Sequence, residues 1–140
     1  MKPLNVWDYR ELARRRLPRG VFEYVDRGTE DEVGLAELRK RLNAIKLNQF
    51  VLNDISSPDT TVSLLGSELA APIIIAPTAA AGLMWHDGEV HLARAAGRHR
   101  IPFCVATQSM TSMEEIAERA PDTELWFQLY VFEDRELTYS

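Results

Sequence analysis

Three short apolar runs constrain this chain more than any other feature: Ile73-Ile74-Ile75-Ala76, Ile101-Pro102-Phe103-Cys104-Val105-Ala106 and Leu125-Trp126-Phe127-Gln128-Leu129-Tyr130-Val131. A run that is apolar on both faces suits a strand of a parallel sheet, because helices cover both sides of such a sheet. Segments of helical period lie between the runs. From Asp87 to Arg98 the chain offers Val90, Leu92, Ala93 and Ala96 for packing. In the next segment Thr111 or Ser112 can cap a helix, and Glu115 completes a capping box with Ser112. Met113, Ile116, Ala117 and Ala120 share one side of it, and Pro121 stops it. Strand, helix, strand, helix, strand, joined by connections long enough for right-handed crossovers, predicts a parallel α/β fold.

The open doubly wound sheet and the (β/α)8 barrel both obey that order. A dinucleotide-binding sheet carries G-x-G-x-x-G after its first strand, whereas Ala76-Pro77-Thr78-Ala79-Ala80-Ala81-Gly82 follows here, which favours the barrel. A barrel needs about 250 residues. The expected architecture is therefore an incomplete TIM barrel of roughly the first three strands, preceded by helices.

That helical segment is legible in the first fifty residues. Val6, Tyr9, Leu12 and Ala13 share a face of a helix ending before Pro18, and Val21, Phe22 and Val25 form the stripe of a second. Gly28 stands where a left-handed helix terminator is expected. Glu30, Asp31 and Glu32 suit the positive start of a third helix with Leu35, Leu38, Leu42 and Ile45 on its inner face. Residues 46–67 are irregular around β-prone pieces such as Thr61-Val62-Ser63-Leu64. The chain reads as one domain's amino-terminal part, with helices and irregular segment over 1–68 and the first βα units over 69–140.

Composition narrows the function classes. Sixteen Lys and Arg against twenty-one Asp and Glu give a net charge of −5, which disfavours a polyanionic partner such as nucleic acid. The basic group Arg14, Arg15, Arg16 and Arg19 is read as a solvated helix face. One cysteine, Cys104, and an amino terminus without an apolar run point to a reducing, cytoplasmic setting. Residues 69–85 carry no charge, but Pro72, Pro77 and Gly82 interrupt them, so a membrane span is not expected. His91 and His99 lie on a predicted surface helix and its end, His86 has no evident carboxylate or cysteine partner at ligand spacing, and no metal site is expected.

In parallel α/β folds chemistry sits at the carboxyl ends of the strands. Those ends are Pro77-Thr78-Ala79, Ala106-Thr107-Gln108-Ser109, and Gln128 with Tyr130. Small residues let backbone N–H groups approach a flat ligand, and an inward amide such as Gln128 donates and accepts on a heterocycle edge. An alanine-rich turn also serves close helix packing. Tyr24 and Tyr130 offer phenolic hydroxyls, to a substrate or to the backbone.

Several blocks carry a resemblance. Tyr24-Val25-Asp26-Arg27-Gly28 with Glu30-Asp31-Glu32, Ala71-Pro72-Ile73-Ile74-Ile75-Ala76-Pro77-Thr78-Ala79, His86-Asp87-Gly88-Glu89, Ser112-Met113-Glu114-Glu115-Ile116-Ala117 and Trp126-Phe127-Gln128-Leu129-Tyr130 occur in this order. In order and spacing they resemble the amino-terminal part of the FMN-dependent 2-hydroxy acid oxidases and dehydrogenases. That family includes glycolate oxidase, lactate oxidase and mandelate dehydrogenase.

The resemblance implies a flavin-holding barrel that oxidises a small 2-hydroxy acid to the 2-oxo acid, in a protein that is a homo-oligomer when complete. It implies that Pro77, Thr78 and Ala79 lie beside the FMN, that Ala106 borders it, and that Gln128 bonds the pyrimidine edge of the ring. Tyr24 would bind the substrate carboxylate and Tyr130 would reach the oxygen being oxidised. The family's base, a histidine on a late strand, would fall beyond Ser140, as would the arginines that clamp the carboxylate and the lysine near the flavin. His86 is not that base.

Two departures stand out. Ala106 occupies a position where many members carry a flavin-bonding serine, a loss of about 1 kcal/mol. Gln108 replaces the tryptophan of glycolate oxidase-like members, and Ala80-Ala81-Gly82-Leu83 is closer to the mandelate dehydrogenase branch, which suggests a substrate bulkier than glycolate. The isolated chain is expected to bind FMN weakly and to turn over nothing. The alternative is a non-catalytic truncated product, or an interaction fragment whose edge near Leu129 and Val131 another chain completes.

Overall fold

The computed structural model describes residues 2–139. The chain falls into two compact units, Met1–Ser57 and Pro58–Ser140.

In the first unit α1 spans Val6–Arg16, α2 Arg19–Asp26 and α3 Val33–Ala44. Asn5 caps α1 by accepting from the Asp8 N–H at 3.0 Å. The Arg10 guanidinium ties α1 to α2 through both carboxylate oxygens of Asp26, with Nη2 at 2.7 Å from Oδ2. Arg39 of α3 lies over the Trp7 ring of α1 at 5.1 Å. Arg14 pairs with Glu11 at 3.0 Å and Arg19 with Glu23 at 2.7 Å, so part of the basic cluster is an ion-paired surface.

Two expectations for this unit need correction. Gly28 is not left-handed: α2 ends because Arg27 is extended (φ −88°, ψ 146°). Gly28 instead permits a close approach, since a Cβ there would lie 3.3 Å from the Leu35 Cβ, and its N–H donates to Glu32 Oε1 at 3.2 Å. Glu30, Asp31 and Glu32 precede α3 rather than form its first turn, and Glu32 is a left-handed N-cap (φ 59°). The expected inner face is exposed, Leu38 by 70%, and no described residue of this unit is buried.

The second unit opens with an antiparallel hairpin, β1 (Val62–Leu64) with β2 (Ser67–Leu69), turning on Gly66 at φ 88°. The hairpin precedes the boundary expected at residue 69 but belongs to this unit. There follow α4 (Ala81–Met84), α5 (Gly88–His99), β3 (Phe103–Ala106), α6 (Met113–Arg119), β4 (Leu125–Gln128) and α7 (Arg135–Tyr139). β3 and β4 pair in parallel, Phe103 opposite Leu125 through Ala106 opposite Gln128. Val90, Ala93 and Ala96 of α5, Phe103 and Val105 of β3, and Ile116 with Ala120 form the buried core. The period-3.6 stripe of α5 thus packs where its sequence predicts.

The first apolar run is shorter as a strand than expected. It makes a single parallel bridge, Ile75 with Phe103: the Ile75 N–H donates to Pro102 O at 3.0 Å, and Cys104 N–H donates to Ile75 O at 2.9 Å. Alternate residues face one neighbour in a ladder. Ile73 N–H already donates to Ala71 O at 2.8 Å, and Pro77 has no N–H, so the ladder cannot extend either way through those donors. Ile73 and Ile74 are exposed, 59% and 40%, rather than covered on both faces.

The third run also stops early, at Gln128. The Thr107 hydroxyl donates to Gln128 O and accepts from the Tyr130 N–H at 3.1 Å, replacing ladder partners with a side chain. The open edge is therefore Leu125–Gln128, and Leu129 and Val131 lie beyond it. Ser112 caps α6 as expected, accepting from Glu115 N–H at 3.2 Å. The Glu115 carboxylate turns instead to Arg119 Nη1 at 2.8 Å, leaving half of the capping box unmade. Arg119 also joins Asp87, the N-cap residue of α5, through two hydrogen bonds, one of 3.1 Å from Nη1 to Oδ1.

Two outcomes follow from this packing. Gly88→Ala would put a Cβ 2.4 Å from Ala81 O and should lower stability in urea unfolding by about 1–3 kcal/mol. Gly20→Ala, in open space on α2, should raise it by about 0.5–1 kcal/mol. The Arg119 guanidinium holds the Asp87 carboxyl below the usual aspartate range. A lowered folded-state pKa contributes stability above the unfolded value, and that contribution disappears as pH falls through the folded value. Asp87→Asn should accordingly be less stable than the parent at neutral pH, and the two should converge below about pH 4 in pH-dependent thermal unfolding.

Candidate functional site

Three chain segments end together at the carboxyl side of the short sheet: the loop after Ile75, the loop after β3, and the exit of β4. Hydrogen bonds join them. The alanine-rich turn is fixed by the Ala80 N–H, which donates to Gln108 O at 3.2 Å, with Ala80 itself left-handed (φ 54°). Gln128 Oε1 accepts from the Thr107 N–H at 3.3 Å, and the Thr107 hydroxyl bridges Gln128 and Tyr130 as described above.

The sequence-derived residues Pro77, Thr78, Ala79, Ala106, Gln128 and Tyr130 all belong to this linked set in the second unit. Pro77 and Thr78 are exposed, Ala79 and Gln128 half-buried, and Ala106 buried. Ala106 O accepts from the Ser109 N–H at 3.0 Å, which closes the turn after β3. The Tyr130 ring is 48% exposed. Tyr24, 66% exposed, stands on α2 in the first unit. Neither phenol makes a hydrogen bond among the described residues, so the alternative of a tip bonded to the backbone is not what is observed.

The free donors decide what this end can hold. Because the Thr107 N–H requires an acceptor, the Gln128 amide turns its oxygen to the main chain and leaves Nε2 without a partner among the described residues. The N–H groups of Thr78 and Ala79 likewise donate to nothing among the described residues. Free main-chain and amide donors, framed by Pro77, Ala79 and Ala106, fit a planar heterocycle that carries carbonyl and ring-nitrogen acceptors.

One residue went unrecognised in the sequence. Glu89 is 1% exposed, and its Oε1 accepts from Gly82 N–H at 3.0 Å and from Met110 N–H at 3.2 Å. Oε2 lies 3.4 Å from the Thr111 hydroxyl. Burial pushes this carboxyl up, but the hydrogen bonds from Gly82, its own N–H, Met110 and Thr111 outweigh burial and hold it below the usual glutamate range. A signal existed: Glu89, Ala93 and Ala96 share one face of α5, so a carboxylate sat on the buried stripe.

The histidines stay outside the site. His86 is exposed and has a carboxylate neighbour that spacing did not reveal, Asp87 Oδ2 at 3.6 Å. His91 and His99 are exposed on α5. Burial pushes the Cys104 thiol up, away from nucleophile chemistry.

A family model described as FMN-dependent dehydrogenase matches residues 13–140. The chain belongs to this family. FMN is the cofactor of this family. The L-lactate dehydrogenase of Pseudomonas syringae pv. syringae (strain B728a) is 44% identical over 128 residues, 91% of this chain and 33% of that protein. The (S)-mandelate dehydrogenase of Pseudomonas putida is 39% identical over 127 residues, 91% of this chain and 32% of that one. The crystal structure of the monotopic membrane protein (S)-mandelate dehydrogenase matches with a TM-score of 0.90 at 38% identity, covering 99% of this chain and 36% of that one. This family member therefore spans about a third of the length of the curated relatives it matches. Its α/β order and short parallel sheet are consistent with part of a (β/α) barrel. No helix among the described residues is long and apolar enough to cross a membrane.

Thr107→Val tests the linkage at this end. It removes the donor to Gln128 O and the acceptor of Tyr130 N–H, so urea unfolding should show a loss of about 1–3 kcal/mol, with Thr107→Ser close to the parent.

Proposed function

We propose that this chain builds one side of the active site of an FMN-dependent 2-hydroxy acid oxidoreductase, as the first three strands and amino-terminal helices of its barrel. The observation that carries the reading is the set of free donors at one sheet end, Thr78 N–H, Ala79 N–H and Gln128 Nε2, in a chain of this family. FMN, when bound, accepts the hydride from the α-carbon of the hydroxy acid.

The chain's own residues would bind and orient. Thr78 and Ala79 would present main-chain N–H groups to the ring, Pro77 and Ala106 would border it, and Gln128 Nε2 would donate to a carbonyl of its pyrimidine edge. Tyr24 would donate to the substrate carboxylate, and Tyr130 to the hydroxyl oxygen that becomes the oxo group. None of these residues would serve as the base that takes the hydroxyl proton. Gln108 and the stretch Ala80-Ala81-Gly82-Leu83 would suit a substrate bulkier than glycolate.

The test uses the protein as its gene encodes it. FMN binding is followed by flavin fluorescence, and bleaching of the bound flavin is followed without oxygen on adding (S)-mandelate, L-lactate or glycolate. Gln128→Leu should weaken FMN binding about tenfold, the loss of one well-placed hydrogen bond. Tyr24→Phe should raise KM more than it lowers kcat, and Tyr130→Phe should chiefly lower kcat. A folded parent protein that takes up no FMN, or whose flavin none of the three acids bleaches, would sink the reading.

The open edge of β4 favours a second reading, an interaction fragment completed by another chain, since Phe127 on that edge is 46% exposed. Under it, FMN binding would appear on adding the completing polypeptide and would be absent without it.

A further inference from the structure

We infer that Glu89 is a positioning residue for the cofactor: its buried carboxylate clamps residues 77–82 to residues 106–111, the two loops that would hold the ring. The inference rests on the function proposed above and goes beyond it to a residue that touches neither flavin nor substrate.

Its geometry is that of a clamp. Glu89 is the second residue of α5, and one oxygen of its carboxylate receives an N–H from each loop, Gly82 at 3.0 Å and Met110 at 3.2 Å. The second oxygen takes the Thr111 hydroxyl at 3.4 Å. Charge-assisted bonds from main-chain N–H groups are stronger than neutral ones, and the site at the head of a twelve-residue helix adds the favourable end of its dipole.

The surroundings leave no room for a looser arrangement. A Cβ on Gly82 would meet Glu89 Oε2 at 3.0 Å and Met110 Cβ at 3.2 Å, and a Cβ on Gly88 would meet Ala81 O at 2.4 Å. Packing of α5 on the core is the work of Val90, Ala93 and Ala96. Every side-chain bond that Glu89 receives from another residue comes from Gly82, in the first turn of α4 at the end of the segment after Ile75, or from Met110 and Thr111 after β3, none from the core.

Without the clamp the loops keep one direct main-chain strut, the Ala80 N–H to Gln108 O bond at 3.2 Å. The donors Thr78 N–H and Ala79 N–H hang between that strut and the bridge at Ile75. Ordering a loop on binding subtracts from affinity, so a loop held in advance binds more tightly.

The experiment compares FMN dissociation constants and visible circular dichroism of the bound flavin in the whole protein, well below its thermal midpoint. Glu89→Ala should raise the FMN Kd about tenfold or more and alter the flavin dichroism, having left the Gly82 and Met110 N–H groups without their shared acceptor. Glu89→Gln, whose amide oxygen still accepts from Gly82 and Met110, should recover most of that loss. Val90→Ala, a core change beside it, should lower the thermal midpoint and leave the Kd within about twofold of the parent. Should Glu89→Ala fail to fold, Thr111→Val replaces it and should raise the Kd a few-fold. The inference falls if the folded Glu89 or Thr111 variant binds FMN like the parent, or if Val90→Ala weakens FMN as much as Glu89→Ala. It falls alone if Gln128→Leu weakens FMN while Glu89→Ala does not; it falls with the proposed function if the parent takes up no FMN.

Discussion

A carboxylate buried at the head of α5 is the constraint on which this end of the sheet depends. Glu89 is tolerated where it is because its carboxylate oxygens are hydrogen-bonded, and the donors come from Gly82 of α4 and from the loop after β3, which share no ladder. Two glycines follow from the same requirement. Gly82 and Gly88 lie where a methyl group would collide with the carboxylate or with the main chain it holds. The helix, the loops and the empty donors of Thr78 and Ala79 are parts of one arrangement.

A second constraint is the early end of the ladder. In a regular sheet, Thr107 N–H and Gln128 O would serve neighbouring strands. Here Thr107 sends its N–H to the Gln128 side chain and its hydroxyl to the Gln128 main chain, and the strands part at that point. Side chains have taken over from backbone pairing at this strand end. The same substitution fixes which end of the Gln128 amide is left over, and so leaves a half-buried glutamine with a donor that meets no acceptor among the described residues.

Much of the fold was legible because it is local. α1 coincides with the periodic segment 6–16, α5 with the stripe of Val90, Ala93 and Ala96, and α6 with Ser112 as its cap. The candidate site was legible in outline, since strand ends in parallel α/β folds are read off apolar runs, and ordered blocks from Tyr24 to Tyr130 pointed to the family that the matched residues bear out. Glu89 was missed because a glutamate in the first turn of a helix is ordinarily a solvated partner of the dipole. Gly28 was misread because a glycine after a helix can serve handedness or close approach, and the Leu35 contact decided for the second.

The sequence by itself determined the helices α1, α2, α3, α5 and α6, the two apolar runs that pair as β3 and β4, and which family the order of blocks belongs to, because period, caps and prolines act over a few residues. Tertiary structure decided how far the ladders run, since a ladder needs a partner from a distant residue: the Ile73 N–H is spent on Ala71 O, and the Thr107 side chain takes the ladder partners at the end of β4. It also decided which polar groups are spent and which are free. Whether an N–H or an amide has found its acceptor depends on chain brought in from far along the sequence, and neither composition nor spacing records that.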